Sequence, residues 1–459
     1  MNRIAEYLTA DQAAARLLHL ATTLATNEVA AVPNLGVIPA PHDLYLLAPH
    51  TPLPVTSITA FAVDMDGTST TTEPLALHAL EYMLRRITGR INPDAWPGLD
   101  PVHDVPFVIG NSNFRHTEFL FTRYRSAIDP TAFRSSVMEA WLWTLLHMRD
   151  RQRLAEVRRH IHLCDAAAVL NDPELLSAFA NPPAPPEITQ LIARLVARYA
   201  HSVRPSHDSL AVAAALDVYY HRYHELLQRI ERGEADALAQ ELLGAQRHLI
   251  APMPGYAIFV ALVKGWLSDA AARALAPVLR AAHPRSTAPA PHDLPTLLRL
   301  AQHFRSLPAK LALVTASIAY EAHVSMQEVL RVIRHEITTW PLPTAARDEL
   351  SARFTNYHTV FDGFVTASDA WEARLKPHRD LYSIALYQMG VPSTAYSTCM
   401  AIEDTEPGII AARAAGFGIT IALPNRDTAR QNYAKAARVL HAGLPELILD
   451  HSLMLTPSP

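Results

Sequence analysis

Cysteine is nearly absent: Cys164 and Cys399 are the two in 459 residues. Two cannot staple a chain of this length, so a disulfide scaffold is excluded and a reducing, cytoplasmic location is the expectation. Charge is scarce as well, with charged residues at 18% and a net charge of −4. That balance lacks the basic footprint of a nucleic-acid or anionic-membrane binder, and neither is expected as a partner. No stretch approaches the ~18 consecutive apolar residues of a spanning helix. The N-terminal MNRIAEYLTADQAAARLLHL carries polar and acidic residues at helical spacing where a signal peptide would have an apolar core. Glycine is sparse, 15 against 35 prolines, which favours stiff joints and helix starts over flexible linkers. Internal repeats are also lacking.

Core material is plentiful. Hydrophobic residues make up 49% of the chain, enough for two or three domains at roughly 100–200 residues each. One stretch organises the rest: AFAVDMDGT, residues 60–68. A short apolar run rich in β-branched and aromatic residues ends in Asp64, Asp66 and Gly67, which predicts a buried strand opening into a loop. Two carboxylates at the mouth of a buried strand are costly unless something there needs them. A metal ion with phosphoryl chemistry is the leading candidate.

Before this stretch, residues 3–27 predict an amphipathic helix, and residues 30–57 are Pro-rich with a short strand at LYLL. After it, Thr72-Glu73-Pro74 starts a helix, and helical periods continue through 131–160, 187–200, 208–231 and 234–250. From residue 310 short apolar strands alternate with helices: KLALVTAS, VFDGFVTASD, STCMAIED and GITIALPN. Such alternation means a parallel sheet covered on both faces, with ligands at the carboxyl ends of its strands. The expected fold class is therefore α/β: a Rossmann-like core with a parallel sheet, and a large all-α domain inserted after the first strand. The expected boundaries are an N-terminal extension at 1–57, a catalytic core at 58–75 and 308–459, and a helical cap at 76–307.

With DMDGT, LALVTAS, Lys376-Pro377 and AIEDTEPGIIAARAAG in this order, the chain resembles the haloacid dehalogenase superfamily of hydrolases. The resemblance is to the class of β-phosphoglucomutase and related phosphatases, and covers about residues 58–88 and 308–425. It implies an Mg²⁺-dependent phosphohydrolase acting on a small phosphorylated metabolite. Asp64 would be the nucleophile, passing through an aspartyl-phosphate, and Asp66 the general acid/base. Asp64, Asp404 and the Asp66 carbonyl would hold Mg²⁺, with Glu403 a further ligand or a group behind the ligands. Thr315 would bind phosphoryl oxygens. Lys376 would neutralise the nucleophile–phosphate pair, aimed by Pro377 at the start of the next helix.

The departures from the family pattern carry information. Many sugar-phosphate members have an Asp and a His seven and twelve residues past the nucleophile, where this chain has Thr71 and Ala76. That weighs against the alternative of a phosphomutase. The other alternative is a partner-binding protein with residual phosphatase activity. The insertion, roughly 220–240 residues, is as large as a domain. Its segment GNSNFRHTEFLFTRYR offers Asn111, Asn113, Arg115 and His116 as candidate substrate contacts. Among the 23 histidines, His221 and His224 share a helix face and read as histidines packed beside tyrosines.

Overall fold

The structure, a computed structural model, describes residues 8–34, 41–108, 113–244, 248–285, 288–370 and 374–456. The strands among them are β1 (Val29–Pro33), β2 (His42–Leu46), β3 (Ala60–Asp64), β4 (Lys310–Val314), β5 (Gly363–Val365), β6 (Cys399–Glu403), β7 (Ile419–Ala422) and β8 (Arg438–Val439). β1 and β2 form an antiparallel hairpin. The other six make one parallel sheet in the order β5-β4-β3-β6-β7-β8. This is the doubly wound arrangement, in which the chain works outward from a central strand first one way and then the other.

β3 is central and buried along its whole length. Its residues alternate between two covered faces, as a parallel sheet requires. Ala60 and Ala62 face a core built with Leu381, Tyr382, Ala385 and Phe417. Phe61 faces the other side and meets Phe259 edge-on at 5.4 Å and Phe304 at 6.1 Å. Asp64 pairs in register with Val314, so β3 and β4 end together. β6 lies on the other flank of β3. The direction of winding reverses at β3, and in such sheets ligands gather at the carboxyl ends beside that switch point.

The chain divides into two compact units. One comprises residues 1–70, 252–322 and 329–459; the other comprises 71–251 with 323–328. The helical segment 252–307 thus groups with the sheet, whereas the sequence reading placed it in the cap. Phe259 and Phe304, from the helices Tyr256–Val263 and Asp293–Ser306, supply the packing on β3 that ties it there. The extension 1–57 groups with the sheet too.

The second unit is built around the 24-residue helix Asp208–Glu231. The helical segment expected over 131–160 consists of two helices, Pro130–His147 and Arg151–Leu163. Asp150 divides them by accepting a hydrogen bond from the Arg153 N–H at 2.9 Å, an N-cap that starts the second helix. His221 and His224 are buried, ringed by Trp143 and Tyr220. No helix among the described residues is long and apolar enough to cross a membrane.

Candidate active site

The turn after β3 is shaped by its backbone. The N–H groups of Ser69 and Thr70 donate to the Met65 carbonyl, each at 2.9 Å, and the Gly67 N–H donates to the Thr70 carbonyl. Gly67 sits at φ +82°, a left-handed conformation that glycine adopts without a Cβ penalty. The Ser69 hydroxyl donates to the Asp64 carbonyl at 2.6 Å. Asp64 is thereby held at the end of β3 and Asp66 on the tight turn that follows it.

Lys376 arrives from the loop after β5. Its ammonium donates to Asp64 Oδ1, to Glu403 Oε1 at 2.7 Å and to the Val314 carbonyl at 3.4 Å. Glu403 ends β6 and is fully buried. Tyr382 donates to Glu403 Oε1 at 2.5 Å and Thr405 to Oε2 at 3.0 Å. Asp404, also buried, accepts from Asn425 at 2.9 Å and from Thr68 at 3.3 Å. Asp66 accepts from the Thr315 hydroxyl at 3.0 Å and the Ser317 hydroxyl at 3.4 Å.

Asp64, Glu403 and Asp404 each offer an oxygen within 4.8 Å of the others. Burial alone would lower the Lys376 pKa, but the Asp64 and Glu403 carboxylates outweigh it and hold the ammonium above its ordinary range. Burial pushes the Asp64 carboxyl up, with Glu403 and Asp66 adding to the rise against Lys376. Burial and then the Glu403 charge push the Tyr382 hydroxyl up, so it stays a donor.

All five of Asp64, Asp66, Thr315, Lys376 and Asp404 stand at the carboxyl ends of β3, β4 and β6 or on the loop after β5, with Glu403 among them. One local expectation needs correcting. Pro377 does not start the next helix: the Lys376–Pro377 bond is cis and the helix begins at Asp380. Of the candidate substrate residues, Asn111 lies outside the described residues. Asn113 donates to the Tyr220 hydroxyl at 3.3 Å, and Arg115 pairs with Glu118 at 3.5 Å. His116 is buried, and burial lowers its pKa to about 3, so the ring is neutral.

Sequence reasoning passed over Asn425, Tyr382 and Ser317. Asn425 follows β7 in LPN, and the strand-end rule that found the acids would have found it. Ser317 stands two residues past Thr315, on the loop after β4. Tyr382 had no signal, because it occupies an apolar position in a helix.

No protein-family model matches the chain, and no curated protein matches it. Solved structures do. The chain is similar to HAD hydrolases. One is the HAD family hydrolase from Deinococcus radiodurans with bound phosphate and sodium, at 14% identity and a TM-score of 0.38, covering 89% of this chain and all of that one. Another is CbbY from Rhodobacter sphaeroides in complex with phosphate, at 16% identity and TM-score 0.35, covering 86% and 99%. A third is the putative β-phosphoglucomutase from Thermotoga maritima, at 14% and 0.32, covering 86% and 97%. Likeness this distant decides nothing about the chemistry, which rests on the site itself.

Proposed function

We propose that the protein is an Mg²⁺-dependent phosphohydrolase acting on a small phosphorylated metabolite, with Asp64 as nucleophile. The observation that carries this is the Lys376 ammonium joined to both Asp64 and Glu403 at the end of the central strand, with Asp404 alongside. An anionic carboxylate attacks an anionic phosphate only where fixed positive charge offsets the repulsion.

The chain's residues divide the work as follows. A free Asp64 oxygen attacks phosphorus and the bond to the leaving oxygen breaks, leaving an acyl phosphate on Asp64. Protonated Asp66 gives its proton to the leaving oxygen. The Asp66 carboxylate then takes a proton from a water that attacks the same phosphorus, phosphate departs and Asp64 is restored. Thr315 and Ser317 hold Asp66 through its carboxylate until then. Lys376 balances charge on the nucleophile throughout.

The donor set fits a hard divalent cation: Asp64, Glu403 and Asp404 each offer an oxygen within 4.8 Å of the others, and all the donors are oxygens. Asp64, Asp404 and the Asp66 carbonyl would hold it. Glu403 suits the role behind the ligands, because both its oxygens accept hydrogen bonds from Lys376, Tyr382 and Thr405. The chemistry a bound Mg²⁺ supplies is neutralisation of phosphoryl charge during attack. Specificity is assigned to the helical unit, with Asn111, Asn113, Arg115 and His116 as the residues to vary.

Hydrolysis of an aryl phosphate with Mg²⁺ tests the reading. Asp64→Asn should lose at least about 10³-fold in kcat. Wild-type turnover in that variant would overturn it, and phosphoryl transfer to a second sugar phosphate without phosphate release would redirect it to a mutase.

A further inference from the structure

The β1–β2 hairpin belongs to the N-terminal extension, which the motifs leave unexplained. Its inner face carries Val32, Tyr45 and Leu47, which pack on Ala414 and Ile410 of the helix Glu406–Ala415. That helix follows Asp404 directly. Arg413, 1% exposed, locks the contact by pairing with Glu28 and donating through Nε to the Ala48 carbonyl at 3.1 Å. The Ala48 N–H returns a bond to the Arg413 carbonyl at 3.0 Å.

The hairpin also grips the loop that carries Lys376. Arg374 and His378 stand two residues to either side of that lysine. Arg374 donates to Asp43, to the Tyr45 hydroxyl at 2.8 Å and to Asp380 at 2.8 Å. The Tyr45 hydroxyl lies 3.0 Å from Asp43 Oδ2 and 3.0 Å from His378 Nδ1. A phenol has one proton and two lone pairs. All three neighbours are satisfied when the hydroxyl donates to Asp43 and accepts from Arg374 and from a His378 protonated on Nδ1. Asn34 completes the group by donating to Asp43 at 3.0 Å. Tyr45 and His378 are both buried, so losing the contact between them would cost a buried hydrogen bond.

We infer that the hairpin is a clamp on the active site, in which Asp43 and Tyr45 are positioning residues that set the aim of Lys376 through Arg374 and His378. The inference rests on the phosphohydrolase reading for the role of Lys376. A lysine at the end of a short loop has several rotatable bonds, and its ammonium must meet Asp64 and Glu403 together. Anchoring both flanks of the loop to a strand fixes the backbone from which it reaches. Asp43 is suited to the task at any working pH: its hydrogen bonds from Asn34 and then Arg374 hold its pKa near 2.

Two readouts on the full-length protein test the clamp. The variants are Tyr45→Phe, which keeps the ring and loses the hydroxyl, and Asp43→Ala. Leu44→Ala, on the exposed face of the same strand, is the control. Hydrogen exchange at residues 374–380 should quicken by about 10-fold in both variants and stay unchanged in the control. With an aryl phosphate, kcat should fall by about 10- to 100-fold with KM within about twofold, since misplacing a catalytic group by an ångström costs on that order. In a Lys376→Ala background the same substitutions should cost less than about twofold more, because the clamp acts through that lysine. Unchanged exchange at 374–380, a loss confined to KM, or an equal loss with and without Lys376 would each overturn it. Should the wild type hydrolyse no phosphoester, the phosphohydrolase reading fails, and the exchange measurement still decides the clamp.

Discussion

Glu403 illustrates how little freedom single groups have at this site. It is a fully buried carboxylate with partners on both oxygens. A buried charge is tolerable only when paired and hydrogen-bonded, so each partner matters. Removing the Tyr382 hydroxyl leaves Lys376 and Thr405 to hold it. Tyr382→Phe should lower stability by about 1–3 kcal/mol, read by thermal or urea unfolding, and lower kcat without abolishing it. Gly408 is the sharper case. A Cβ there would fall 2.0 Å from the Glu403 carboxyl carbon. Helix propensity alone would favour alanine by about 1 kcal/mol. The clash should reverse that sign, and by displacing Glu403 and Lys376 it should reduce kcat in Gly408→Ala by about 100-fold. A stabilised, fully active Gly408→Ala protein would show that Glu403 can move without consequence.

Helices and strands set these groups in place, and the second unit has a polar anchor of its own. Asp217, on the helix Asp208–Glu231, is completely buried and accepts from Arg153 at 2.6 Å, His160 at 2.7 Å and Trp141 at 2.7 Å. It joins three helices. Burial would raise its pKa, but His160 and Arg153 outweigh burial and bring it to about 2. The folded pKa lies below the unfolded value of about 3.9. The contribution to stability is therefore fully present above that unfolded value and is lost as pH falls towards 2. His160 behaves oppositely. Burial lowers its pKa, but Asp217 raises it more, for a net rise. Its contribution is complete below the unfolded value of about 6.5 and fades as pH climbs through the raised folded pKa. Both contributions overlap between about pH 4 and 6.5. The melting temperature of wild type against Asp217→Asn, followed across pH, should show the largest gap in that window and a smaller one at either side. At its widest, the gap should correspond to about 3–5 kcal/mol, the cost of breaking a buried pair. Equal Tm at pH 5.5 would sink this account.

Across the chain as a whole, the carboxylates of Asp64, Glu403 and Asp404 meet at the sheet's mouth, and the proposed reaction needs a cation there. Chelation should remove phosphatase activity, and Mg²⁺ should restore it. Because a ligand that binds only the folded state stabilises it, saturating Mg²⁺ should also raise Tm. The gain is about 2.7 kcal/mol at a hundredfold excess over Kd. Asp404→Asn should blunt both effects. Activity that survives exhaustive chelation would overturn the assignment of Mg²⁺.

Much of this was readable along the chain because it depends on local pattern. A buried parallel strand writes itself as a short apolar run, and a strand end with chemistry to do carries a polar residue straight after it. Asp64 and Asp66 stand out that way, whereas Thr315, Glu403 and Asp404 enter through the family resemblance. What no local pattern carries is which distant segments meet. Residues 252–307 have the same helical period as the cap, and contacts such as those of Phe259 and Phe304 with Phe61 assign them to the sheet. Tyr382 looks like any apolar helix residue until Glu403 appears beneath it, 21 positions later. Asp43 and Tyr45 sit in a Pro-rich stretch with no motif, yet they meet Arg374 and His378 more than 300 residues away. Periodicity records which face of an element is buried. The partner buried against it is decided by packing in three dimensions, and so were the hairpin's grip on the lysine loop and the hydrogen bonds that aim Lys376.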